Sequence, residues 1–302
     1  MNNGINLQNC TIQSVIKENS DAGLRWDVLR LDQVHPVISG NKYFKLKFYI
    51  ENAKKLGKKG LLTFGGAWSN HILATAAAAA GEGLKSIGII RGEMPEEPSS
   101  TLMDAASLGM DLRFVDRSAY RENSKTEHFG LPIYETGYLT VPEGGHGAAG
   151  VSGAAEIMNF KGISHYNLIF CACGTGTTLA GLISRASPGQ QCIGIPVLKN
   201  AYSLKNEIQA ILPDHAIGKR WELIEDYHFG GYARRNEMLI SFMNEFYEHH
   251  GIPTDFVYTG KLMYAINDLV INNFFPEGSK ILALHSGGLQ GNRSLKRGLL
   301  SF

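Results

Sequence analysis

The sequence has no long apolar run and almost no net charge. Its 302 residues contain 29 basic and 28 acidic side chains, which leaves a formal net charge of +1. A helix that crosses a bilayer needs about 20 consecutive apolar residues, and no stretch of this chain has that composition. A nucleic-acid-binding protein usually carries a clustered basic excess, which the chain also lacks. We therefore expect neither a membrane segment nor a nucleic-acid partner.

Cysteine is scarce as well, with four residues in the whole chain. Cys171 and Cys173 are too close in sequence for an easy disulfide, and no C-x-x-C pair indicates a zinc site. Free thiols are typical of a reducing cytoplasm. The N-terminal sequence MNNGINLQNC lacks the basic and apolar regions of a signal peptide. We predict a cytoplasmic protein without a metal site.

Glycine, by contrast, is abundant, with 35 residues, many of them at the ends of apolar runs. Such positions suit the tight strand-to-helix turns of an α/β protein. Short apolar runs alternate with segments of helical periodicity, which predicts parallel sheets with helices on both faces. The predicted strands are 24–32, 60–64, 86–90, 112–115, 139–141, 168–173, 192–197, 222–224 and 280–285. The predicted helices are 46–56, 72–81, 101–108, 148–160, 179–185, 204–212, 236–250 and one that opens at 258–261, whereas the polar span 117–130 is ambiguous.

Lys42 directly follows a Gly-Asn turn and precedes an apolar run of helical spacing. The local backbone restrains such a lysine more than it restrains an ordinary surface lysine. Most lysines are solvated charges, however, so this position alone indicates chemistry only weakly.

The stretch 174–178 (GTGTT) joins a predicted strand to a predicted helix. Free backbone N–H groups and the positive end of the helix dipole favour an anion at such a turn, and the threonine hydroxyls add donors. The stretch lacks the lysine of a Walker A loop, and Leu179 stands where a dinucleotide fingerprint has its third glycine. It therefore predicts a site for a phosphate monoester, with a plain tight turn as the alternative.

Two further stretches precede predicted helices. In the stretch 68–71 (WSNH), Ser69 or Asn70 is a natural N-cap, and the geometry suits a carboxylate. The Tyr-Thr pair at 258–259 could point hydroxyls into a cleft. The plain alternatives are a helix cap at the first stretch, a hydrogen-bonded structural role for His71, and a buried aromatic cap at the second stretch.

A restrained lysine, a phosphate site and a carboxylate site in one α/β protein together indicate pyridoxal phosphate. This cofactor needs an amine to bind its aldehyde and an anion site for its phosphate. Its amino-acid substrate needs a second anion site for the carboxylate. The three weak signals therefore support one another.

At these residues the sequence resembles the aminocyclopropane-carboxylate deaminase and D-cysteine desulfhydrase family. That family belongs to the tryptophan-synthase-β-like (fold type II) class of pyridoxal phosphate enzymes. The matching motifs occur in the family's order and extend over nearly the whole chain. They are Ser39-Gly40-Asn41-Lys42-Tyr43-Phe44-Lys45-Leu46, Gly65-Gly66-Ala67-Trp68-Ser69-Asn70-His71, Pro142-Glu143-Gly144-Gly145, Thr175-Gly176-Thr177-Thr178, Tyr258-Thr259-Gly260-Lys261 and His285-Ser286-Gly287-Gly288.

The resemblance implies a role for each matched residue. Lys42 would bind the cofactor's aldehyde, and Ser69 and Tyr258 would act with it in catalysis. The remaining cofactor contacts would be Asn70 at the ring oxygen, Thr259 at the pyridine nitrogen, and Gly174, Thr175, Gly176, Thr177 and Thr178 at the phosphate. The substrate contacts would be Trp68, Ser69, Asn70, His71 and, as a second active-site tyrosine, Tyr232.

Three departures from the family pattern bear on the substrate. The deaminases have glutamate where this chain has Thr259, whereas the desulfhydrase-like members have threonine, and a hydroxyl keeps the pyridine nitrogen protonated less well than a carboxylate does. This position favours β-elimination from a small amino acid such as D-cysteine, giving pyruvate and ammonia, over opening of a cyclopropane. Trp68 replaces a glutamine and would crowd the substrate, and Phe44 replaces an arginine.

Several alternatives stay open at the level of sequence. An aminocyclopropane-carboxylate deaminase, an amino-acid racemase and a hydroxy-amino-acid dehydratase would use the same cofactor. A non-catalytic relative that binds a phosphorylated ligand would not need Lys42, Ser69 and Tyr258. A nucleotide-binding oxidoreductase is disfavoured by the incomplete glycine fingerprint.

The resemblance also implies a two-lobed α/β fold in which each lobe is a mostly parallel twisted sheet covered by helices. We predict a large cofactor-binding domain formed by residues 1–47 and 145–302, and a small domain of residues 48–144. The glycine-rich junction at 144–147 is where the chain would pass between the lobes. The family suggests a homodimer.

Overall fold

A computed structural model describes residues 4–17, 23–123 and 137–302 of the chain. The strands are β1 (Ile12–Ile16), β2 (Arg25–Leu29), β3 (Gly60–Gly65), β4 (Lys85–Arg91), β5 (Met110–Val115), β6 (Tyr138–Val141), β7 (Leu168–Cys173), β8 (Gln191–Pro196), β9 (Trp221–Leu223) and β10 (Lys280–Leu284). The α-helices are α1 (Asn41–Lys55), α2 (Asn70–Gly81), α3 (Ser100–Ser107), α4 (Arg117–Asn123), α5 (Ala148–Ala155), α6 (Thr177–Arg185), α7 (Leu204–Ile211), α8 (Glu237–His250) and α9 (Thr259–Ile271).

The strands form two sheets, which confirms the predicted α/β fold. The larger sheet has six strands in the order β1-β2-β10-β7-β8-β9, and each neighbouring pair is parallel except β1 with β2. The smaller sheet has four parallel strands in the order β5-β4-β3-β6. Parallel strands bring their carboxyl ends to one edge of a sheet, and in open α/β folds ligands bind outside that edge.

The larger sheet is buried on both faces, as is usual for parallel strands that are joined through helices. In β10, Leu282 and Leu284 pack into one apolar cluster, whereas Ile281 and Ala283 pack into another. Successive side chains of a strand point to opposite faces, so the two clusters lie on opposite faces of the sheet. The first cluster also contains Leu61 of the smaller sheet, so the two sheets share part of one core.

The smaller sheet takes all its strands from residues 60–141. These strands lie inside the span predicted for the small domain. Helix α1 crosses the proposed boundary between residues 47 and 48. The exact division of the chain into domains therefore stays a prediction.

Local signals fixed several helix ends. Ser69 caps α2, where its side chain accepts a hydrogen bond from the Ile72 N–H, as the sequence predicts. Asn236 caps α8 in the same way, and Gly251, with φ of 64°, ends that helix in the left-handed conformation. Helix α8 matches its predicted bounds to within a residue, whereas α2 begins two residues before its predicted start.

Three elements differ from the sequence prediction. Strand β1 was missed, and it is an antiparallel edge strand without a fully buried residue, so its apolar signal is weak. The predicted helix 148–160 is shorter, because α5 gives way to a 3₁₀ turn at Glu156–Asn159. The ambiguous span 117–130 begins with helix α4, and its residues 124–130 lie outside the described part of the chain.

Across residues 4–17, 23–123 and 137–302, none of the helices has the length and apolar character needed to cross a membrane. The same residues contain no group of three or more His, Cys, Asp or Glu side chains placed to hold a metal ion.

Candidate active site

The first turn of α1 lies directly against the loop that follows β10. Gly40, just before α1, has φ of 66°, and a Cβ atom at this position would lie 1.8 Å from the carbonyl oxygen of Ser286. The Asn41 N–H donates to that same carbonyl at 3.3 Å. Only glycine fits here, and this close approach sets where α1 begins and therefore where Lys42 lies.

A short chain of hydrogen bonds connects Lys42 to the threonine-rich turn. The Lys42 Nζ donates to Asn41 Oδ1 at 3.1 Å, and Asn41 Nδ2 donates to Thr178 Oγ1 at 2.8 Å. Asn41 is buried, and it is 137 residues from Thr178 in sequence. The structure thus brings the restrained lysine and the candidate phosphate site together, which the sequence could only suggest.

The environment of Lys42 favours an uncharged amine. Burial lowers the pKa of Lys42 from 10.5 to about 8, although the charge of Asp255 partly opposes this. A lysine with a lowered pKa is a better nucleophile and base at neutral pH than an exposed one. The position therefore suits an amine that reacts with an aldehyde.

The turn 174–176 leads from β7 into α6. Gly176 is the N-cap of α6 with φ of 72°, and no side chain caps the first N–H groups of the helix. The hydroxyl groups of Thr175 and Thr177 lie 3.0 Å apart, and Thr177 Oγ1 is 3.3 Å from Nδ1 of His146. Uncapped N–H groups beside clustered hydroxyls form a site that suits a phosphate.

Lys45 lies one helical turn after Lys42, in the same matched motif, and is the next candidate for the reactive amine should Lys42 not be it. It is buried, and its Nζ donates to the carbonyl oxygen of Gly144 at 2.9 Å. Gly144 in turn borders the phosphate turn, since a Cβ there would lie 3.0 Å from Thr175 Cγ2. Burial and the neighbouring charge of Lys42 lower the pKa of Lys45 to about 7. An anion at the turn would therefore have a second lysine close by.

The stretch 68–71 lies between β3 and α2. Trp68 is 42% exposed, and Ser69 uses its Oγ to cap α2 through a long bond of 3.4 Å. The side chain of Asn70 approaches the loop after β10, since a Cβ on Gly288 would be 2.6 Å from Asn70 Nδ2. The amide oxygen of Asn70 is buried and has no hydrogen-bond partner among the described residues.

His71 points into the protein and is almost fully buried. The Thr63 hydroxyl donates to the Val141 carbonyl at 2.8 Å, so its oxygen accepts the hydrogen bond from His71 Nε2, also at 2.8 Å. Burial, together with the nearby lysine charges, lowers the pKa of His71 well below 6.5. His71 is therefore neutral, so it brings no positive charge to a substrate carboxylate.

Tyr258 lies between Lys42 and the phosphate turn. Lys42 Nζ is 6.0 Å from the centre of the Tyr258 ring, and a Cβ on Gly174 would be 3.3 Å from the Tyr258 hydroxyl. The ring of Tyr232 packs edge-on against Tyr258, with centroids 6.1 Å apart at 75°. Burial raises the pKa of Tyr258 well above 10, so this phenol stays protonated at neutral pH and acts as a hydrogen-bond donor.

Asp255 is a buried carboxylate that the sequence prediction missed. It accepts hydrogen bonds from the N–H groups of Val257, Tyr258 and Thr259 at 2.9–3.0 Å. The hydroxyl of Thr259 donates to Asp255 Oδ1 at 2.7 Å and accepts from the Asp255 N–H at 2.7 Å. The position predicted to meet the pyridine nitrogen is therefore a hydroxyl whose proton is held by a carboxylate.

These groups fit pyridoxal phosphate. The structure has a buried amine of lowered pKa, an uncapped and hydroxyl-rich turn joined to it by hydrogen bonds, and an unpartnered buried amide oxygen at Asn70. An unpartnered buried polar atom in a native structure calls for a ligand or a water. These contacts bring the first turn of α1, the stretch 68–71, the turn 174–178 and Tyr258 close to one another near the carboxyl ends of strands from both sheets.

Comparisons with known proteins agree with this chemistry. A family model described as "Pyridoxal-phosphate dependent enzyme" matches residues 19–287. The chain is 28% identical over 269 residues to a protein of Pyrococcus horikoshii, covering 84% of this chain and 81% of that one. It is 27% identical to a protein of Thermotoga maritima, covering 95% and 96%. Both relatives carry the provisional name 1-aminocyclopropane-1-carboxylate deaminase.

Solved structures give the same result for the fold. An ACC deaminase homologue superposes with a TM-score of 0.79 at 27% identity, covering 94% of this chain and 90% of that chain. A hydrogen sulfide-producing enzyme from Fusobacterium nucleatum superposes with a TM-score of 0.65 at 18% identity, covering 94% and 96%. The second likeness shows a shared fold alone.

Proposed function

The chain belongs to the family of pyridoxal-phosphate-dependent enzymes, and from that premise we propose that it catalyses β-elimination from a small amino acid. The proposed substrate is D-cysteine, which with one water gives pyruvate, ammonia and hydrogen sulfide. The hydrogen-bond chain from Lys42 through Asn41 to Thr178 is the observation that carries the proposal, because it joins a reactive amine to an anion site.

The bound cofactor would supply an aldehyde that captures the substrate amine and a ring that withdraws electrons from its α-carbon. Lys42, Asn70 and the turn 174–178 would hold it. The Lys42 amine, when it is not bound to the aldehyde, would remove the proton from the α-carbon of the substrate. The pKa of about 8 leaves part of the Lys42 population neutral at neutral pH, which this step requires.

The substrate carboxylate would bind at the start of α2. Ser69 and Asn70 lie at that helix N-terminus, where the helix dipole favours an anion. Tyr258, as a protonated phenol of raised pKa, would donate to the departing thiolate rather than accept a proton. Ser69 would be a second hydroxyl able to move a proton.

The alternative is 1-aminocyclopropane-1-carboxylate deamination, the activity for which the two relatives are named. Thr259 supports β-elimination instead. A hydroxyl keeps the pyridine nitrogen protonated less well than the glutamate of the deaminases does, so the cofactor ring withdraws electrons less strongly. Trp68 would crowd the substrate and so restrict which amino acids fit. Racemase and dehydratase activities are the remaining outcomes of the substrate test.

The test is a product assay with the cofactor-loaded protein. D-cysteine, 1-aminocyclopropane-1-carboxylate, D-serine and L-serine would each be incubated, and pyruvate, 2-oxobutyrate, sulfide and enantiomer ratios measured. Sulfide and pyruvate from D-cysteine alone would support the proposal. Production of 2-oxobutyrate from the cyclopropane at a higher kcat/KM would overturn it in favour of the deaminase.

A second test concerns the amine itself. Lys42→Ala should abolish turnover and the visible absorbance of the bound cofactor, whereas Lys47→Ala, on the same helix, should retain both. Lys47 is a suitable control because it pairs with Glu156 at 2.9 Å. Persistent absorbance and turnover in Lys42→Ala would transfer the role to Lys45.

We also propose, from the family resemblance, that the protein is a cytoplasmic homodimer. Analytical ultracentrifugation of the purified chain tests the second part, and a monomer at micromolar concentration would contradict it.

A further inference from the structure

One face of α9 is in contact with the segment of residues 227–232 along much of the helix. Tyr258, Lys261, Tyr264 and Asp268 follow the three- and four-residue spacing that places side chains on one face of a helix. Each of them contacts the segment. At the far end, the Tyr227 hydroxyl donates to Asp268 Oδ2 at 2.7 Å.

The contacts continue along the helix towards the active site. The ring of Phe229 packs edge-on against Tyr264, with centroids 4.9 Å apart. Lys261 Nζ donates to the carbonyl oxygens of His228 at 2.9 Å and Gly231 at 2.8 Å. The segment therefore runs along α9 from its C-terminal half to its first residue, where Tyr232 meets Tyr258.

Lys261 is the central contact of this series and an unusual one. Its side chain is fully buried, and buried lysines are rare because a charge loses its hydration in the protein interior. Two main-chain carbonyls receive its hydrogen bonds, and the charge of Asp255 acts on it as well. A buried lysine that serves two carbonyls of one loop is placed to fix that loop.

The loop that Lys261 holds has a strained backbone. Phe229, Gly230, Gly231 and Ala233 have φ angles of 52°, 88°, 117° and 53°. Positive φ is disfavoured for Phe229 and Ala233, which carry a Cβ atom. Strained conformations of this kind persist only where the surroundings hold them.

We propose that Lys261 is a positioning residue that fixes the loop 228–231 so that Tyr232 covers Tyr258 beside the reactive Lys42. Tyr232 follows the second carbonyl that Lys261 binds, and its ring packs on Tyr258, which is 6.0 Å from Lys42 Nζ. The kinetic part of this inference rests on the proposed function. The structural part does not, because it concerns the order of the loop alone.

The chain offers a matched control for the loss of this contact. Lys219 Nζ also donates to two main-chain carbonyls, those of Ser184 at 2.8 Å and Ala186 at 3.0 Å. Both carbonyls lie at the C-terminal end of α6 and not in the loop 228–231. Lys219→Met therefore removes the same kind of contact at a different place.

The first experiment uses trypsin and hydrogen exchange on the cofactor-loaded protein. Arg234 and Arg235 are exposed cleavage sites just after the loop. Lys261→Met should speed cleavage at these sites by about tenfold or more and raise exchange of amides 229–235, because the loop opens locally. Lys219→Met should leave both unchanged. Unchanged cleavage and exchange in Lys261→Met would overturn the proposal.

A general loss of stability must be told apart from local opening. If the whole protein loses stability, exchange would rise throughout α9 and the larger sheet rather than in residues 229–235. This outcome also overturns the proposal. If Lys261→Met does not fold, Lys261→Gln, which keeps one amide donor, is tested by the same criteria.

The second experiment is a double-mutant cycle between Lys261→Met and Tyr232→Ala. Whichever amino acid the enzyme turns over is used, so a wrong substrate assignment does not affect the result. If Lys261 acts through Tyr232, each single variant raises KM to a similar extent, and the double variant is no worse than either. Effects on KM that multiply in the double variant would mean that Lys261 acts independently of Tyr232.

Discussion

At the scale of the residue, Asp255 determines whether the Thr259 hydroxyl donates a hydrogen bond to a ligand or accepts one from it. The hydroxyl gives its one proton to Asp255 and accepts one hydrogen bond from the Asp255 N–H. A hydroxyl has two acceptor lone pairs, so one remains. Towards a pyridine nitrogen, Thr259 in this arrangement can therefore only accept. This suits a protonated nitrogen, although a neutral hydroxyl stabilises that proton less than the glutamate of the deaminases does.

Replacing Asp255 tests this directly. In Asp255→Asn the amide oxygen can take the place of Oδ2, which accepts from the Val257 and Tyr258 N–H groups, and the NH2 group then donates to the Thr259 hydroxyl. That hydroxyl should turn and donate, so the absorbance spectrum of the cofactor-loaded protein and its pH dependence should shift. Asp268→Asn, further along α9, should leave the spectrum as it is in the wild type. A spectrum of Asp255→Asn identical to that of the wild type at every pH would show that Asp255 does not govern the hydroxyl.

Lys45 gives a second prediction at this scale. Its pKa of about 7 means that roughly half of the side chains are charged at neutral pH. A phosphate nearby favours the charged form, so binding should take up a proton. Lys45→Met should weaken pyridoxal phosphate binding, and more at pH 6.5 than at pH 8.5, as measured by fluorescence titration.

The control for Lys45 is Lys47→Met, whose side chain pairs with Glu156 instead. Its affinity for pyridoxal phosphate should equal that of the wild type at both pH values. Equal weakening by both substitutions, or a loss in Lys45→Met that does not depend on pH, would contradict a direct electrostatic role for Lys45.

Lys45 and His146 show why parts of the site were beyond the sequence. The turn 174–178 and the stretch 68–71 carry local signals, since glycines, hydroxyls and helix starts stand next to one another in the chain. Lys45 meets the carbonyl of a residue 99 positions away. His146 meets a threonine 31 positions away. Contacts of this kind depend on tertiary packing, and no local sequence pattern predicts them.

At the scale of the element, the ends of several helices were predictable, whereas the edge strand β1 was not. Ser69 and Asn236 are caps whose side chains satisfy the free N–H groups of their own helix, so the signal and the structure lie within four residues. Strand β1 depends on pairing with β2 instead. Its sequence has little to distinguish it from a loop.

Helix α1 has two glycines in the left-handed region that form a natural comparison. Gly40 precedes the helix with φ of 66°, and Gly57 follows it with φ of 61°. A Cβ on Gly57 would meet nothing within 4 Å, whereas a Cβ on Gly40 would lie 1.8 Å from the Ser286 carbonyl oxygen. Both positions have a positive φ, and Gly40 adds a ψ of −142° and the steric clash.

Alanine at each position should therefore separate these effects. Gly57→Ala should lower the free energy of unfolding by about 1 kcal/mol, the strain of one left-handed residue. Gly40→Ala should lower it by more than about 3 kcal/mol, since the clash is with main chain and cannot relax cheaply. It should also displace Lys42 and weaken cofactor binding. Similar losses of stability by urea unfolding in the two variants would show that α1 does not depend on this close approach.

At the scale of the whole molecule, the fold brings distant stretches of chain to one cleft. The loops after β2, β3, β7 and β10 all leave the carboxyl ends of parallel strands. The alternation of strands and helices predicts that such an edge exists. It does not predict which strands are neighbours, because β2 lies next to β10 although some 250 residues separate them, a spacing that no sequence periodicity encodes.

Three lysines in and beside this site have lowered pKa values, and their titration affects the stability of the whole chain. Lys42 and Lys261 have pKa values lowered to about 8 and Lys45 to about 7, against 10.5 in the unfolded chain. Above pH 7 the unfolded state therefore binds more protons than the folded state. Stability rises with pH wherever this is so, and each lysine contributes at most about 1.4 kcal/mol per pH unit.

Acidic groups with raised pKa values reverse the trend at higher pH. Burial raises the pKa of Cys192 from 9.0 to about 12 and that of Cys10 to about 11, and Tyr258 lies well above 10. As the pH rises, these groups lose their protons at a lower pH in the unfolded state than in the folded state. The cofactor-free protein should accordingly gain stability from pH 7 to about 8.5 and lose it above about pH 9.5, as measured by urea unfolding at fixed ionic strength. The stability of Lys45→Met should rise less steeply from pH 7 to about 8.5, because this substitution removes the lysine that titrates first. A wild-type stability that falls steadily from pH 7 upwards would mean that these lysines stay charged in the folded protein, and the Lys42 amine would then need another source of activation.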